Sequence, residues 1–272
     1  MGDMTIVDAI VLGFVQGITE FLPISSSGHL ILMRDLLGLE VVGSLGFDAV
    51  LQLATTLAVI LYFSEDLWLL MQTALRKLGR LPVNQKDLTV LYALLIGTIP
   101  AVAAGVLLEN YMDTIFRSSV LVAIVLTLGS LLFIYAEWVY YGSVPQNNLT
   151  KQTGFKIGLF QCLALIPGMS RSGSTISAGM LLGLSRTEAA RFSFLLSIPI
   201  LLGSGAKKLI ELIHVGGDIS LITIGVGSVV AFGVGLASIH FLLTFIRRHT
   251  LWPFIWYRLL LAAFVFYTYF LA

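Results

Sequence analysis

Gly-Phe-Val-Gln-Gly-Ile-Thr-Glu-Phe-Leu-Pro-Ile-Ser-Ser-Ser-Gly-His, residues 13–29, starts as an apolar helix and breaks at Pro23 into serines, a glycine and a histidine. Gln16 and Glu20 stand four residues apart, so a helix stacks them on one face. Few other charges keep them company. Of 272 residues 57% are hydrophobic and 11% charged, whereas soluble domains carry about 25% charged residues. That deficit makes the chain an integral membrane protein, and its helix-length apolar runs lead us to expect an all-α fold. A second stretch, residues 167–175, reads Pro-Gly-Met-Ser-Arg-Ser-Gly-Ser-Thr and supplies a cation, Arg171. The two stretches are expected to meet inside the membrane and handle a phosphate.

The rest of the composition mostly excludes. A net charge of +1 without a basic tail gives no sign of a nucleic-acid partner. The single cysteine, Cys162, allows no disulfide framework. Met1-Gly2-Asp3 lacks the positive start of a signal peptide.

A membrane-crossing helix needs about 20 mostly apolar residues. Six stretches qualify: 45–63, 88–108, 118–140, 189–210, 219–243 and 250–271. Residues 5–39 and 154–184 are also apolar but are broken by Pro, Gly and Ser. Broken backbone at membrane depth is tolerated only against protein or a water-filled cavity. Both are read as re-entrant helix–loop–helix hairpins.

The two also match each other. A shift of 145 positions pairs Gly13 with Gly158, Gln16 with Gln161, Ser25 with Ser170, Ser27 with Ser172 and Gly28 with Gly173. Twelve of the 39 positions from 13 to 51 are identical without a gap, which points to internal duplication, with copies at about 1–140 and 150–272. Positive charge orients them. With loop 64–87 in the cytoplasm, alternation leaves ten Lys and Arg inside and four outside. The hairpins then enter from opposite faces, an inverted-topology repeat whose broken tips build a site near the midplane.

Each residue type has a use there. Ser25, Ser26, Ser27 and Gly28 can converge backbone amides on an anion, and a helix N-terminus behind them adds favourable charge; serine also simply caps helices. His29 offers an imidazole for acid–base or nucleophilic work. The Arg171 guanidinium forks onto phosphate oxygens; its anion is either Glu20, a substrate phosphate, or both. Repulsion between Glu20 and a pyrophosphate suggests a divalent cation, magnesium or calcium, near Glu20 and Gln16. Elsewhere, Asp48 and Gln52 are expected to extend the polar cavity. Glu137 reads as interfacial, and Arg258, among Trp252, Trp256 and Tyr257, as an aromatic-belt anchor. Glu188 and Arg191 read as a surface pair, and His214, His240 and His249 as structural.

At its two loops the chain resembles the undecaprenyl pyrophosphate phosphatase family, also called the bacitracin-resistance protein family. One family signature is Glu or Gln, three residues, Glu, then a Pro-x-Ser-Ser-Ser/Thr-Gly-His loop; Gln16, Glu20 and Pro23 to His29 match it. The other, Pro-Gly-x-Ser-Arg-Ser-x-x-Thr, is matched from Pro167 to Thr175. Many members carry Glu at the place of Gln16. The resemblance implies a bacterial inner-membrane enzyme, its site open to the outer face. It would hydrolyse a polyprenyl pyrophosphate to the monophosphate, recycling a carrier for cell-wall glycan export and conferring bacitracin resistance. Carried over, Glu20, Ser26, His29 and Arg171 would be catalytic. Gln16, Ser25, Ser27, Gly28, Gly168, Ser170, Ser172, Gly173 and Thr175 would bind substrate. Attack by Ser26, by His29 or by an activated water stays open, as does assembly as a homodimer. The competing reading is a secondary transporter or flippase that carries a phosphorylated lipid without cleaving it.

Overall fold

The structure is a computed structural model and describes residues 4–38, 44–114, 118–215 and 220–270. Among these it is all helix: α1 (Ile6–Thr19), α2 (Ser26–Leu37), α3 (Ser44–Tyr62), α4 (Ser64–Leu78), α5 (Gln85–Thr114), α6 (Ser119–Tyr141), α7 (Lys151–Leu163), α8 (Arg171–Leu181), α9 (Arg186–Val215), α10 (Leu221–Phe245) and α11 (Trp252–Phe270). The repeat match at Leu39 and the side chain of His214 fall outside the described residues.

Five of these helices, α5, α6, α9, α10 and α11, are long and apolar enough to cross a membrane. A sixth span is counted when α3 and α4 are taken together, although they bend by 76° at Phe63. Loop 64–87 is thus largely helical. Glu65 and Asp66 sit at the N-terminal end of α4 and Arg76 and Lys77 at its C-terminal end, both complementing the helix dipole. Leu70 and Thr73 are buried while Trp68, Met71, Leu75 and Leu78 lie exposed along another face.

The four helices beside the breaks have 14, 12, 13 and 11 residues, too short to cross alone. Their caps explain where they start and stop. Thr5 and Asp8 form a reciprocal capping box on α1, and Pro23 blocks its continuation. Ser25 and Ser170 cap α2 and α8. α1 packs against α2, and α7 against α8.

Positions 145 apart play matching roles in the packing. α1 lies on α10 and α7 on α5, while α3 meets α9 and α6 meets α11. Small residues let the backbones approach, as membrane interfaces require. A methyl added at Gly13 would sit 2.5 Å from the carbonyl oxygen of Gly227, and one at Gly158 only 2.1 Å from that of Gly97. Phe21, Phe133, Phe194 and Ile176 fill the centre. Val106, Leu107, Val229 and Leu260 point outward, the arrangement expected of lipid-facing surfaces.

Several charged groups depart from expectation. Glu137, near the end of α6, is buried by protein, gripped by two nitrogens of Arg186, and accepts the Leu251 N–H at 2.7 Å. Arg191 pairs with Asp66 of α4 rather than with Glu188. Asp48 is held by both terminal nitrogens of Arg34, and the backbone carbonyl of Gln52 accepts from Thr55 and Thr56. For Glu137, Arg191 and Asp48 the partner lies on another helix, whereas the Gln52 carbonyl is bonded within α3. His240 meets Tyr62 of α3, and His249 lies beside the Phe245 carbonyl one turn back.

Candidate active site

Both broken stretches turn at a serine in a left-handed conformation. Ser25 has φ 77° and ψ 98°, and Ser170 has φ 75° and ψ 112°. Such positive φ is strained for any residue with a side chain, and strain of this kind gathers at functional sites. Each serine then accepts a hydrogen bond from the backbone three residues on: Gly28 N at 3.4 Å and Gly173 N at 3.2 Å. Those two glycine amides are therefore taken by caps. The N–H groups of Ser26, Ser27, Arg171 and Ser172 open their helices, where no preceding turn supplies carbonyls. The anion-binding amides are best sought there.

The loops bind each other directly. Gly168 N donates to Ser25 Oγ at 3.1 Å, and Ser172 Oγ donates to the Leu22 carbonyl at 3.2 Å. Arg171 Nη2 reaches Glu20 Oε1 at 3.2 Å, closing an ion pair between residues 151 positions apart. The other carboxylate oxygen, Oε2, accepts from Ser26 Oγ at 2.6 Å and from Gln16 Nε2 at 3.1 Å. Gln16 also donates to Thr55 at 3.4 Å, and its Oε1 is buried without a partner. Arg171 Nη1 donates to the Ser193 carbonyl, while its Nε is buried and unbonded. Four predicted residues thus converge: Gln16, Glu20, Ser26 and Arg171.

The others divide. Ser26, Ser27, His29 and Arg171 remain partly exposed. Ser170, Ser172 and Thr175 are buried and hold scaffold: Ser170 Oγ lies 3.2 Å from Ser172 Oγ, and Thr175 Oγ1 lies 2.6 Å from Ser193 Oγ. Gly173 leaves room for Phe133, since an added methyl would lie 1.9 Å from the tip of that ring. Gly168, at φ 97°, sits against α6, and a methyl there would come within 2.7 Å of the Val122 carbonyl oxygen. His29 does not bond Glu20 or Ser26; its partners are the Ser25 carbonyl and Tyr257, each at 2.7 Å.

Arg258 is the principal correction. It anchors no aromatic belt: it is fully buried and donates to Ser130 Oγ and the carbonyls of Leu126, Gly168 and Met169 at 3.0–3.3 Å. Its guanidinium also lies 4.7 Å from the Phe133 ring centroid, beside the space left by Gly129. The aromatic neighbours obscured it, yet a cation inside a membrane helix is itself a signal of function. Thr55, Ser193 and Tyr257 were missed because their partners on α1, α8 and α2 lie far along the chain.

Among the described residues no three His, Cys, Asp or Glu side chains gather as a metal site. The donor set does fit a hard cation that keeps most ligands from water and substrate phosphates, because Glu20 adjoins the unpartnered Oε1 of Gln16. Two surface clefts, one lined by Asp66, Glu188 and Arg191 and the other by Glu137, Arg186 and Trp252, share no residue with the converging cluster.

Comparison with known proteins places the chain in one family. The chain is 44% identical over 259 residues to an undecaprenyl-diphosphatase of Trichlorobacter lovleyi, covering 94% of each chain. It is 39% identical over 268 residues to one of Idiomarina loihiensis, covering 98% of this chain and 100% of that one. It is also 39% identical over 267 residues to one of Micrococcus luteus, covering 97% and 96%. The family model of bacitracin resistance protein BacA matches residues 9–264, a stretch holding both loops and all the site residues above, and the chain belongs to that family.

Proposed function

We propose that this protein is a membrane phosphatase that hydrolyses undecaprenyl pyrophosphate to the monophosphate and inorganic phosphate. It returns the carrier lipid to cell-wall glycan synthesis and thereby confers bacitracin resistance. The observation that carries the mechanism is Ser26 Oγ at 2.6 Å from Glu20 Oε2, with Arg171 on the same carboxylate. Phosphoryl transfer depends chiefly on positioning and on stabilising charge at the phosphate oxygens. Here Ser26 attacks the terminal phosphorus as Glu20 takes its proton, and the bond to the bridging oxygen breaks. Arg171 turns from Glu20 toward the phosphate as negative charge builds there, aided by first-turn amides of α2 and α8. A water then attacks that phosphorus, the bond from phosphorus to Ser26 Oγ breaks, and Glu20 returns its proton to Ser26 Oγ as inorganic phosphate leaves.

A divalent cation, magnesium or calcium, would be held by Glu20 and Gln16 Oε1 and would lessen repulsion between carboxylate and pyrophosphate. The enzyme resides in the bacterial inner membrane, as an inverted repeat of about 1–140 and 150–272 with re-entrant hairpins, and its site opens to the outer face. The matching caps at Ser25 and Ser170 and the reciprocal packing of α1 on α10 and α7 on α5 support the repeat.

The test is phosphate release from a polyprenyl pyrophosphate by purified protein in detergent, with and without chelator, beside Arg171→Ala. Release abolished by Arg171→Ala is expected. No release from folded protein would overturn the phosphatase and leave transport without cleavage, to be sought as lipid flux in vesicles.

A further inference from the structure

The imidazole of His29 is held at both nitrogens. Nδ1 lies 2.7 Å from the Ser25 carbonyl oxygen, which only accepts, so Nδ1 carries a proton. In the neutral ring Nε2 then bears the lone pair, and the Tyr257 hydroxyl donates to it at 2.7 Å. The two rings are nearly parallel, 9° between planes and 5.6 Å between centroids. Tyr257 belongs to α11, and its neighbour Arg258 grips Gly168 and Met169. One turn of α11 therefore fixes the histidine of the first loop and the backbone of the second.

This arrangement limits what His29 does. Its lone pair is directed at a hydroxyl, so it is not free to attack phosphorus, and Ser26 already has Glu20. Proton transfer remains. We propose that Tyr257 positions His29 and relays a proton between it and the water that completes hydrolysis. The inference rests on the phosphatase reading above. As the water attacks the phosphorus bound to Ser26, a water O–H bond breaks and its proton joins Tyr257 Oη. The proton already on Oη passes to His29 Nε2, so Tyr257 stays neutral and His29 becomes imidazolium. The imidazolium later returns that proton by the same route to the departing phosphate. A tyrosine hydroxyl both donates and accepts, so the ring keeps two partners in either protonation state. Tyr257 is 44% exposed, and His29 is partly exposed beside it.

Tyr257→Phe keeps the ring and removes only the hydroxyl. In full-length protein it is expected to lower kcat by about a hundredfold or more, as loss of acid–base assistance does, with KM nearly unchanged. It should also move the acidic limb of the pH–rate profile. A variant carrying both Tyr257→Phe and His29→Gln should be no slower than His29→Gln alone, because both remove one relay. The ¹⁵N signal of His29 Nε2, assigned through His29→Gln, should shift in Tyr257→Phe. An active wild type with unaltered kcat and pH profile in Tyr257→Phe overturns the relay alone, as does multiplication of the two losses or an unmoved Nε2 signal. A wild type that releases no phosphate overturns the phosphatase and the relay with it.

Discussion

The two loops are built alike and equipped differently. Each turns at a left-handed serine, caps its helix with that serine's hydroxyl, and starts the helix at the next residue. At that first helical position the first loop carries Ser26 and the second Arg171, which are 145 apart. Four residues further along from the helical glutamine, Gln16 leads to Glu20 but Gln161 to Leu165. One scaffold thus presents a hydroxyl with a carboxylate from one side and a guanidinium from the other. A phosphate needs both a nucleophile and a counter-charge, and two identical loops would supply only one. The difference between matching positions of the two loops is what makes the site asymmetric.

The largest expected effects separate these two roles. Ser26→Ala should cost about a thousandfold or more in kcat, since it removes the proposed nucleophile. Its thermal midpoint in detergent should change little, because the cap on Ser25 remains. Arg171→Ala should lower kcat similarly but also destabilise, since it strands buried Glu20 without its cation; losing one partner of a buried pair costs about 3–5 kcal/mol. Equal unfolding midpoints in the two variants would break the contrast between a reacting group and one that also holds the loops together.

A second contrast lies in the paired glycines. Gly28→Ala places a methyl 3.0 Å from Val122 Cγ1, the end of a side chain. Gly173→Ala drives one into the fully buried Phe133 ring, which in turn supports Arg258. Overpacking costs about 1–3 kcal/mol, so Gly173→Ala should unfold at clearly lower temperature than Gly28→Ala. The reverse order would mean that the second loop yields more readily than the first.

Local chemistry explains how much was readable from the chain. Pro23 and the serine runs marked both breaks, and the spacing of Gln16 and Glu20 placed them on one face because helix geometry fixes that relation. Ser26 lies six residues from Glu20, close enough for loop closure to be anticipated. Arg258 and Arg191 were misread, and the partner of Glu137 was not foreseen, for a common reason. Their partners lie up to 132 positions away, and only the packing of whole helices decides them. Trp252, Trp256 and Tyr257 made Arg258 look interfacial, yet the next position along a helix turns by about 100°, enough to take Arg258 into the core. Tyr257 itself was read as part of the belt, although its hydroxyl meets His29. The α4 helix was hidden because its charges mark it as a connecting loop, while its periodic apolar face becomes evident only beside the bend.

The smallest single effect is loss of the Ser170 cap, and its comparison with Ser25 tests how closely the loops are equivalent. Loss of a serine cap costs about 1 kcal/mol, so Ser170→Ala should lose roughly that amount. Ser25 Oγ has an additional task, since it accepts the Gly168 N–H that joins the loops. Ser25→Ala therefore leaves a buried donor unsatisfied, which costs about 1–3 kcal/mol further. Glycine at either position relieves the positive φ and restores part of the loss. The relief should be similar for Ser25→Gly and Ser170→Gly because the two backbone angles nearly coincide. Unfolding midpoints of the four variants in detergent measure both differences at once. A larger Ala penalty at 25 with equal Gly relief means that the backbone is shared and the inter-loop bond is not. Equal Ala penalties would show that the Gly168 contact contributes nothing, and the loops would then be joined chiefly by Arg171 and Glu20.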